Sequence, residues 1–133
     1  MDKQEFLNII KTQTSLDEKE AERLARAVLL TLNSQLSRLE RADIHGVLPK
    51  DLDTLFHGSW LQTLMSGLQS LREFDKEEFV EQVRERADLS TTDEAANIIR
   101  IVFSALKEAI PQQEVEHINR DLPDDVRDLW RAA

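Results

Sequence analysis

A fourteen-residue pattern that occurs twice constrains the fold more than any other feature of the sequence. The first copy, DIHGVLPKDLDTLF, spans residues 43–56, and the second, HINRDLPDDVRDLW, spans residues 117–130, an offset of 74 positions. In each copy a proline, which suits the first turn of a helix, is followed by an aspartate and then by apolar residues at steps of three and four. Each copy therefore predicts a turn that leads into a short amphipathic helix.

The remainder of the two halves aligns in the same way. Apolar residues match at offsets of 73 and 74 with helical spacing, whereas positions that we expect to be exposed differ. The matched pairs include Phe6 and Phe79, Ile10 and Val83, Leu24 and Ile98, Val28 and Val102, Ile44 and Ile118, and Leu52 and Val126. Chance similarity would not sort itself by burial, so we interpret the chain as a tandem duplication of one helical unit.

The predicted fold class is all-α. Only three glycines and three prolines interrupt 133 residues, and no segment alternates in the manner of a strand. We expect a single compact domain of two tandem four-helix repeats (1–58 and 75–133), related by an approximate twofold axis and joined by an amphipathic connecting helix at 59–74. The predicted helices of the repeats span 3–13, 17–36, 39–46 and 49–57, then 76–87, 91–110, 112–119 and 123–131.

The starts of the two long helices carry capping signals. Asp17 and Thr91 are each followed three residues later by a glutamate, Glu20 and Glu94, which is the spacing of a capping box. Both long helices are apolar on nearly all sides, and such helices are buried nearly all round. We therefore expect them to cross near the middle of a shared core.

Composition excludes several classes of function. The chain has no cysteine, which rules out disulfides and thiolate chemistry, and its formal charge of −9 without a basic cluster argues against nucleic-acid binding and against anionic membrane surfaces. The N-terminal segment lacks the continuous apolar run of a secretory signal, and no stretch reaches the length of a membrane span. We expect a cytoplasmic protein.

The sequence resembles a bacterial family known as domain of unknown function 2267 over nearly its whole length. The resemblance rests on the openings QEFLNII and EEFVEQV, the block LDEKEAERLARAVLLTL at 16–32, and the DIHGVLPKDLDTLF block followed by HGSW at 57–60. It implies an all-helical duplicated fold. It implies no catalytic residues, cofactor or substrate.

One constellation of possible metal ligands occurs at equivalent positions of the two repeats. Glu40 and Asp43 in the first repeat correspond to Glu114 and His117 in the second. A glutamate and a histidine at i and i+3 share one helix face, as in ferritin-like di-iron bundles, but here only one pair contains a histidine. The alternative is that both glutamates lie in the first turn of a helix because the helix dipole favours them there, and we expect no bound metal or cofactor.

The leading functional hypothesis is a non-catalytic protein-interaction or self-associating module. Its partner is a second copy or another protein, bound through an apolar face of the connector or of the short helices at 49–57 and 123–131. No set of residues suggests an enzyme. The alternative is a small-ligand or metal-binding protein with a pocket between the repeats. Candidate contact or pocket residues are His57, Trp60, Leu64, Met65 and Leu68 near the connector, and Trp130 on the last helix.

Overall fold

The computed structural model describes residues 1–56 and 73–133, and all regular structure in these ranges is helical. In chain order the helices are α1 (Lys3–Thr12), α2 (Glu18–Ser34), α3 (Arg38–Val47), α4 (Lys50–Asp53), α5 (Lys76–Arg86), α6 (Thr92–Ala109), α7 (Gln112–Asp121) and α8 (Asp124–Ala132). The all-α prediction is confirmed. With one exception, the predicted boundaries agree with the observed ones to within two residues.

The exception is the short helix predicted over 49–57. Helix α4 ends at Asp53, and a 3₁₀ turn, Thr54–Phe56, continues it. The Thr54 hydroxyl donates a hydrogen bond to the Asp51 carbonyl at 2.6 Å, and Arg26 Nη1 donates to the Thr54 carbonyl at 3.1 Å. Side chains thus occupy two carbonyls that a longer α-helix would use, which favours the tighter turn.

The first bond of each predicted capping box, in which the cap side chain accepts from a backbone amide, is confirmed for both long helices. Asp17 Oδ1 accepts a hydrogen bond from the Glu20 amide at 2.8 Å, and Thr91 Oγ1 accepts one from the Glu94 amide at 3.1 Å. Each bond satisfies one of the free amides at a helix start, which stabilises the helix by about 1 kcal/mol.

A capping box also has a second bond, in which the glutamate carboxylate accepts from the cap residue's backbone amide. The prediction of this bond was wrong for both helices. The Glu20 carboxylate bonds Arg23 instead, and the Glu94 carboxylate accepts from the Thr91 hydroxyl. A complete capping box opens α5, where Asp75 and Glu78 bond each other's backbone amides.

The two long helices, α2 and α6, pack against each other, and α1 and α5 each contact both of them. Helix α8 packs on α5, α6 and α7, and α3 packs on α7. Apolar side chains from all eight helices form one contiguous core. Its largest fully buried members are Trp130, Phe6, Phe56, Phe79 and Phe103.

Most helix contacts have a counterpart in the other half of the chain. The contact of α1 with α2 corresponds to that of α5 with α6, and the contact of α1 with α6 corresponds to that of α5 with α2. Two contacts, α2 with α6 and α3 with α7, join a helix to its own counterpart. This pattern is what a twofold exchange of the halves would produce, although the axis itself stays a prediction.

Most of the predicted connecting helix at 59–74 lies outside the described residues. Its last two positions, Glu73 and Phe74, are described and are not helical. Phe74 is buried, and its amide donates to Gln35 Oε1 at 2.7 Å, which joins this segment to the end of α2 ahead of the Asp75 cap. Among the described helices, none combines the length and apolar character needed to cross a membrane.

Candidate metal centre

The contact between α3 and α7 begins with a hydrogen bond between their ends. Ser37 caps α3 by accepting from the Glu40 amide at 3.2 Å, and its own amide donates to Asp121 Oδ2 at 2.7 Å. Helix α7 starts after Pro111, whose carbonyl accepts from the Glu114 amide at 2.9 Å. Both glutamates are therefore held in the first turn of their helices, as the sequence predicts.

Four side chains converge between these helices. They form what we call the acidic cluster: Glu40 and Asp43 from α3, and Glu114 and His117 from α7. One donor atom from each residue lies within 4.8 Å of the donor atoms of the other three. Both glutamates are only 6% exposed, whereas Asp43 is exposed and His117 is half-buried. The cluster thus has a buried side and a side that reaches solvent.

The buried side of the acidic cluster lacks compensating positive charge. Glu40 Oε1 and Glu114 Oε1 are buried and have no hydrogen-bond partner among the described residues. Within the described ranges no lysine or arginine forms an ion pair with the cluster, and the His117 Nδ1 to Glu114 Oε2 contact is long at 3.9 Å. Burying carboxylates without partners costs several kcal/mol, so this arrangement calls for a cation, either a proton or a metal ion.

A proton supplies part of that charge in the metal-free protein. Burial raises the pKa of Glu40 from 4.5 to about 8, and a hydrogen bond with the Glu114 carboxyl group and the charges of Glu114, Asp121 and Asp43 raise it further. The first-turn position favours the ionised form by only about 0.3–1 kcal/mol, too little to outweigh burial. Glu40 is therefore mostly protonated at neutral pH. Position in a first turn explains where the glutamates lie but not why they are buried.

The geometry of the acidic cluster is close to that of a small metal site. Zinc–oxygen and zinc–nitrogen distances of about 2.0–2.2 Å place the ligands of a tetrahedral ion roughly 3.3–3.6 Å apart. The donor atoms, which lie within 4.8 Å of one another, would each need to move inward by less than about 1 Å. Asp43 and His117 are the less buried members, so they have the most room for such a movement.

Sequence reasoning named all four members of the cluster but did not predict that they meet. It also missed the residues around the cluster, Val47, Pro111 and Gln113, which line a surface pocket beside it. One signal could have predicted that the two pairs meet. In a twofold arrangement, a helix that contacts its own counterpart brings equivalent residues together.

Trp130, a predicted contact or pocket residue, is instead part of the core. Its side chain is 1% exposed, its ring packs edge-on against Phe103 at 5.1 Å, and its indole N–H donates to the Val115 carbonyl at 3.1 Å. The apolar faces of 49–57 and 123–131 were candidate partner surfaces. Their residues Leu52, Leu55, Phe56, Val126 and Trp130 are all buried, because these faces cover the long helices.

The other candidate pocket residues, His57, Trp60, Leu64, Met65 and Leu68, lie outside the described residues.

The fold is all-helical, and its candidate site is a set of carboxylates and one imidazole between two short helices. The chain belongs to the family of uncharacterized conserved proteins DUF2267, whose sequence profile matches residues 3–129. A search of curated proteins found no match.

Proposed function

We propose that this protein binds one divalent transition-metal ion at the acidic cluster. The observation that supports the proposal is the pair of buried oxygens, Glu40 Oε1 and Glu114 Oε1, that have no partner among the described residues and that adjoin a further carboxylate and an imidazole. Buried ionised groups are normally paired or coordinate metals. A metal ion would satisfy both glutamates at once, whereas one proton can satisfy them only by being shared.

The donor set favours some ions over others. Calcium takes six to eight oxygen ligands at about 2.3–2.6 Å, whereas this donor set includes an imidazole nitrogen. Imidazole suits zinc and iron, and carboxylates suit manganese. The acidic cluster therefore fits a single zinc, iron(II), manganese(II) or cobalt(II) ion.

An ion at this position would link the two halves of the chain. Glu40 and Asp43 belong to α3, while Glu114 and His117 lie 74 positions further along in α7. Because the unfolded chain does not hold these donors together, metal binding adds to the free energy of unfolding. The proposed role of the ion is thus partly structural.

The direct experiment measures metal binding to chelator-treated protein by titration calorimetry. We expect one zinc or manganese ion per chain in the wild-type protein. Glu114→Gln keeps the size of the buried side chain and removes its charge, and we expect it to weaken binding at least tenfold. Glu116→Gln is the matched control, because Glu116 is an exposed residue of the same helix. It should bind as the wild type does.

Far-UV circular dichroism shows whether each variant retains its helices. A folded Glu114→Gln variant with wild-type metal affinity would contradict the proposal.

Protein interaction or self-association is the second candidate function. Among the described large apolar residues, Leu39 on α3 is the most exposed, at 79%. Val47 on the same helix is 39% exposed. Light scattering from micromolar to millimolar concentration tests self-association directly. A dimer that Leu39→Asp dissociates would support this function, and a strict monomer at all concentrations would contradict self-association.

A further inference from the structure

The solvent-facing side of the acidic cluster opens into a surface pocket of about 280 Å³. Three of the four cluster residues line this pocket, and Glu40 does not. The remaining walls are Val47, Pro111 and Gln113. An ion held by the cluster would therefore have Glu40 on its buried side and the open pocket on its solvent-facing side.

The pocket is an open surface depression. Typical ligand sites begin at about 300 Å³, so its volume suits a small molecule. Val47 and Pro111 provide apolar surface, and the Gln113 side chain has both a hydrogen-bond donor and an acceptor.

Charge decides which small molecules fit. Three ionised carboxylates and one divalent ion carry a formal charge of −1 in total, and none of the described residues that line the pocket is a lysine or an arginine. Two like charges about 4 Å apart repel each other by roughly 4 kcal/mol at an effective dielectric constant of about 20. An anion would meet this repulsion, whereas a neutral donor would not.

We propose that a metal ion in the acidic cluster is five-coordinate: the four protein donors fill four positions, and the fifth faces this pocket and binds water or a small neutral nitrogen or oxygen donor in preference to an anion. The proposal rests on the proposed metal binding and adds to it. A closed structural site has all its positions filled by protein, while an open one exchanges ligands with solvent.

The test uses full-length protein loaded with cobalt(II), whose visible spectrum changes with its ligands. Imidazole at pH 8 is the neutral probe, and azide is the anionic probe. Ultrafiltration at each point verifies that cobalt stays bound to the protein. We expect imidazole to change the cobalt spectrum with saturation, and to bind at least tenfold more tightly than azide.

Two variants on α3 locate the open position. Val47→Trp fills the pocket without removing a ligand, and Leu39→Trp places the same side chain on an exposed position that does not line the pocket. We expect Val47→Trp to bind cobalt normally and to lose imidazole binding at least tenfold. Leu39→Trp should behave as the wild type.

The outcomes separate the two proposals. Cobalt that binds with a spectrum unaffected by imidazole would overturn the open position and leave metal binding standing. Azide binding as tight as imidazole would overturn the preference for neutral donors, and unchanged imidazole binding in Val47→Trp would overturn the assignment to this pocket. Failure of cobalt to bind at all would overturn the proposed function itself.

Discussion

The carboxyl groups of Glu40 and Glu114 meet between α3 and α7, although 74 residues separate them in the chain. Both are buried, and each has an oxygen without a hydrogen-bond partner among the described residues. Two carboxyl groups so close together cannot both ionise without a cation. The ionisation of this pair should therefore depend both on pH and on bound metal.

Without metal, the free energy of unfolding should fall as the pH rises from about 4.5 towards 8. Glu40 has a raised pKa of about 8 in the folded protein, so the native state holds a proton that the unfolded chain releases over this range. One such group can change stability by at most about 1.4 kcal/mol per pH unit. Urea unfolding in the presence of a chelator, repeated across this pH range, measures the slope.

Glu40→Gln should remove this component of the slope, because the amide stays neutral at every pH. Glu114, Asp43 and Asp121 also face this position and remain in the variant. If the stability difference between the wild type and Glu40→Gln does not change with pH, the raised pKa is wrong. Glu116→Gln, on the exposed side of α7, should leave the slope as it is.

Zinc should raise the thermal stability of the wild-type protein. A free zinc concentration about 100 times the dissociation constant should add about 2.7 kcal/mol to the free energy of unfolding. His117→Ala removes the only nitrogen donor of the acidic cluster, so the same zinc concentration should stabilise it far less. Differential scanning calorimetry with and without zinc makes the comparison. An equal stabilisation of both proteins would show that zinc binds elsewhere.

Trp130→Ala should destabilise the protein by about 3–5 kcal/mol, because the indole is fully buried against Phe103. Trp130→Phe should cost less, since it keeps an aromatic ring and loses mainly the bond to the Val115 carbonyl. Denaturant unfolding followed by circular dichroism gives both values. A loss below about 1 kcal/mol for Trp130→Ala would mean that this side chain does not anchor the core.

Arg127→Ala should cost about 1.5–3 kcal/mol, which is the usual range for a lost hydrogen bond to a charged group. Arg127 donates to the carbonyls of Asn119 at 2.6 Å and Leu122 at 2.9 Å, and so joins the end of α7 to α8. Arg131 lies on the same helix but is exposed, and Arg131→Ala should change stability by no more than about 0.5 kcal/mol. Equal effects of the two substitutions would argue against a specific role for Arg127.

Local patterns in the sequence predict the helices well because they depend on neighbouring residues. The spacing of Phe6 and Ile10 indicates a helix whatever the tertiary fold. Asp17 accepts a hydrogen bond from the Glu20 amide, which is only three positions away. The predicted capping box of α2 failed because two groups competed for one carboxylate. The Glu20 carboxylate had two possible partners, the Asp17 amide and the Arg23 side chain, and spacing alone does not decide between them.

For the acidic cluster, the sequence by itself determined which side chains are present and that each pair lies on one helix face. It also determined that Glu40 and Glu114 stand in first turns, since Ser37 and Pro111 precede them at the required spacing. Only the tertiary structure decided that the two pairs face each other and that both glutamates are buried. The physical reason is that the pKa of a carboxyl group, and its need for a cation, depend on its burial and on the groups around it. For Glu40 the burial arises in the tertiary fold, and the neighbouring carboxyl groups of Glu114 and Asp121 come from α7, in the other half of the chain.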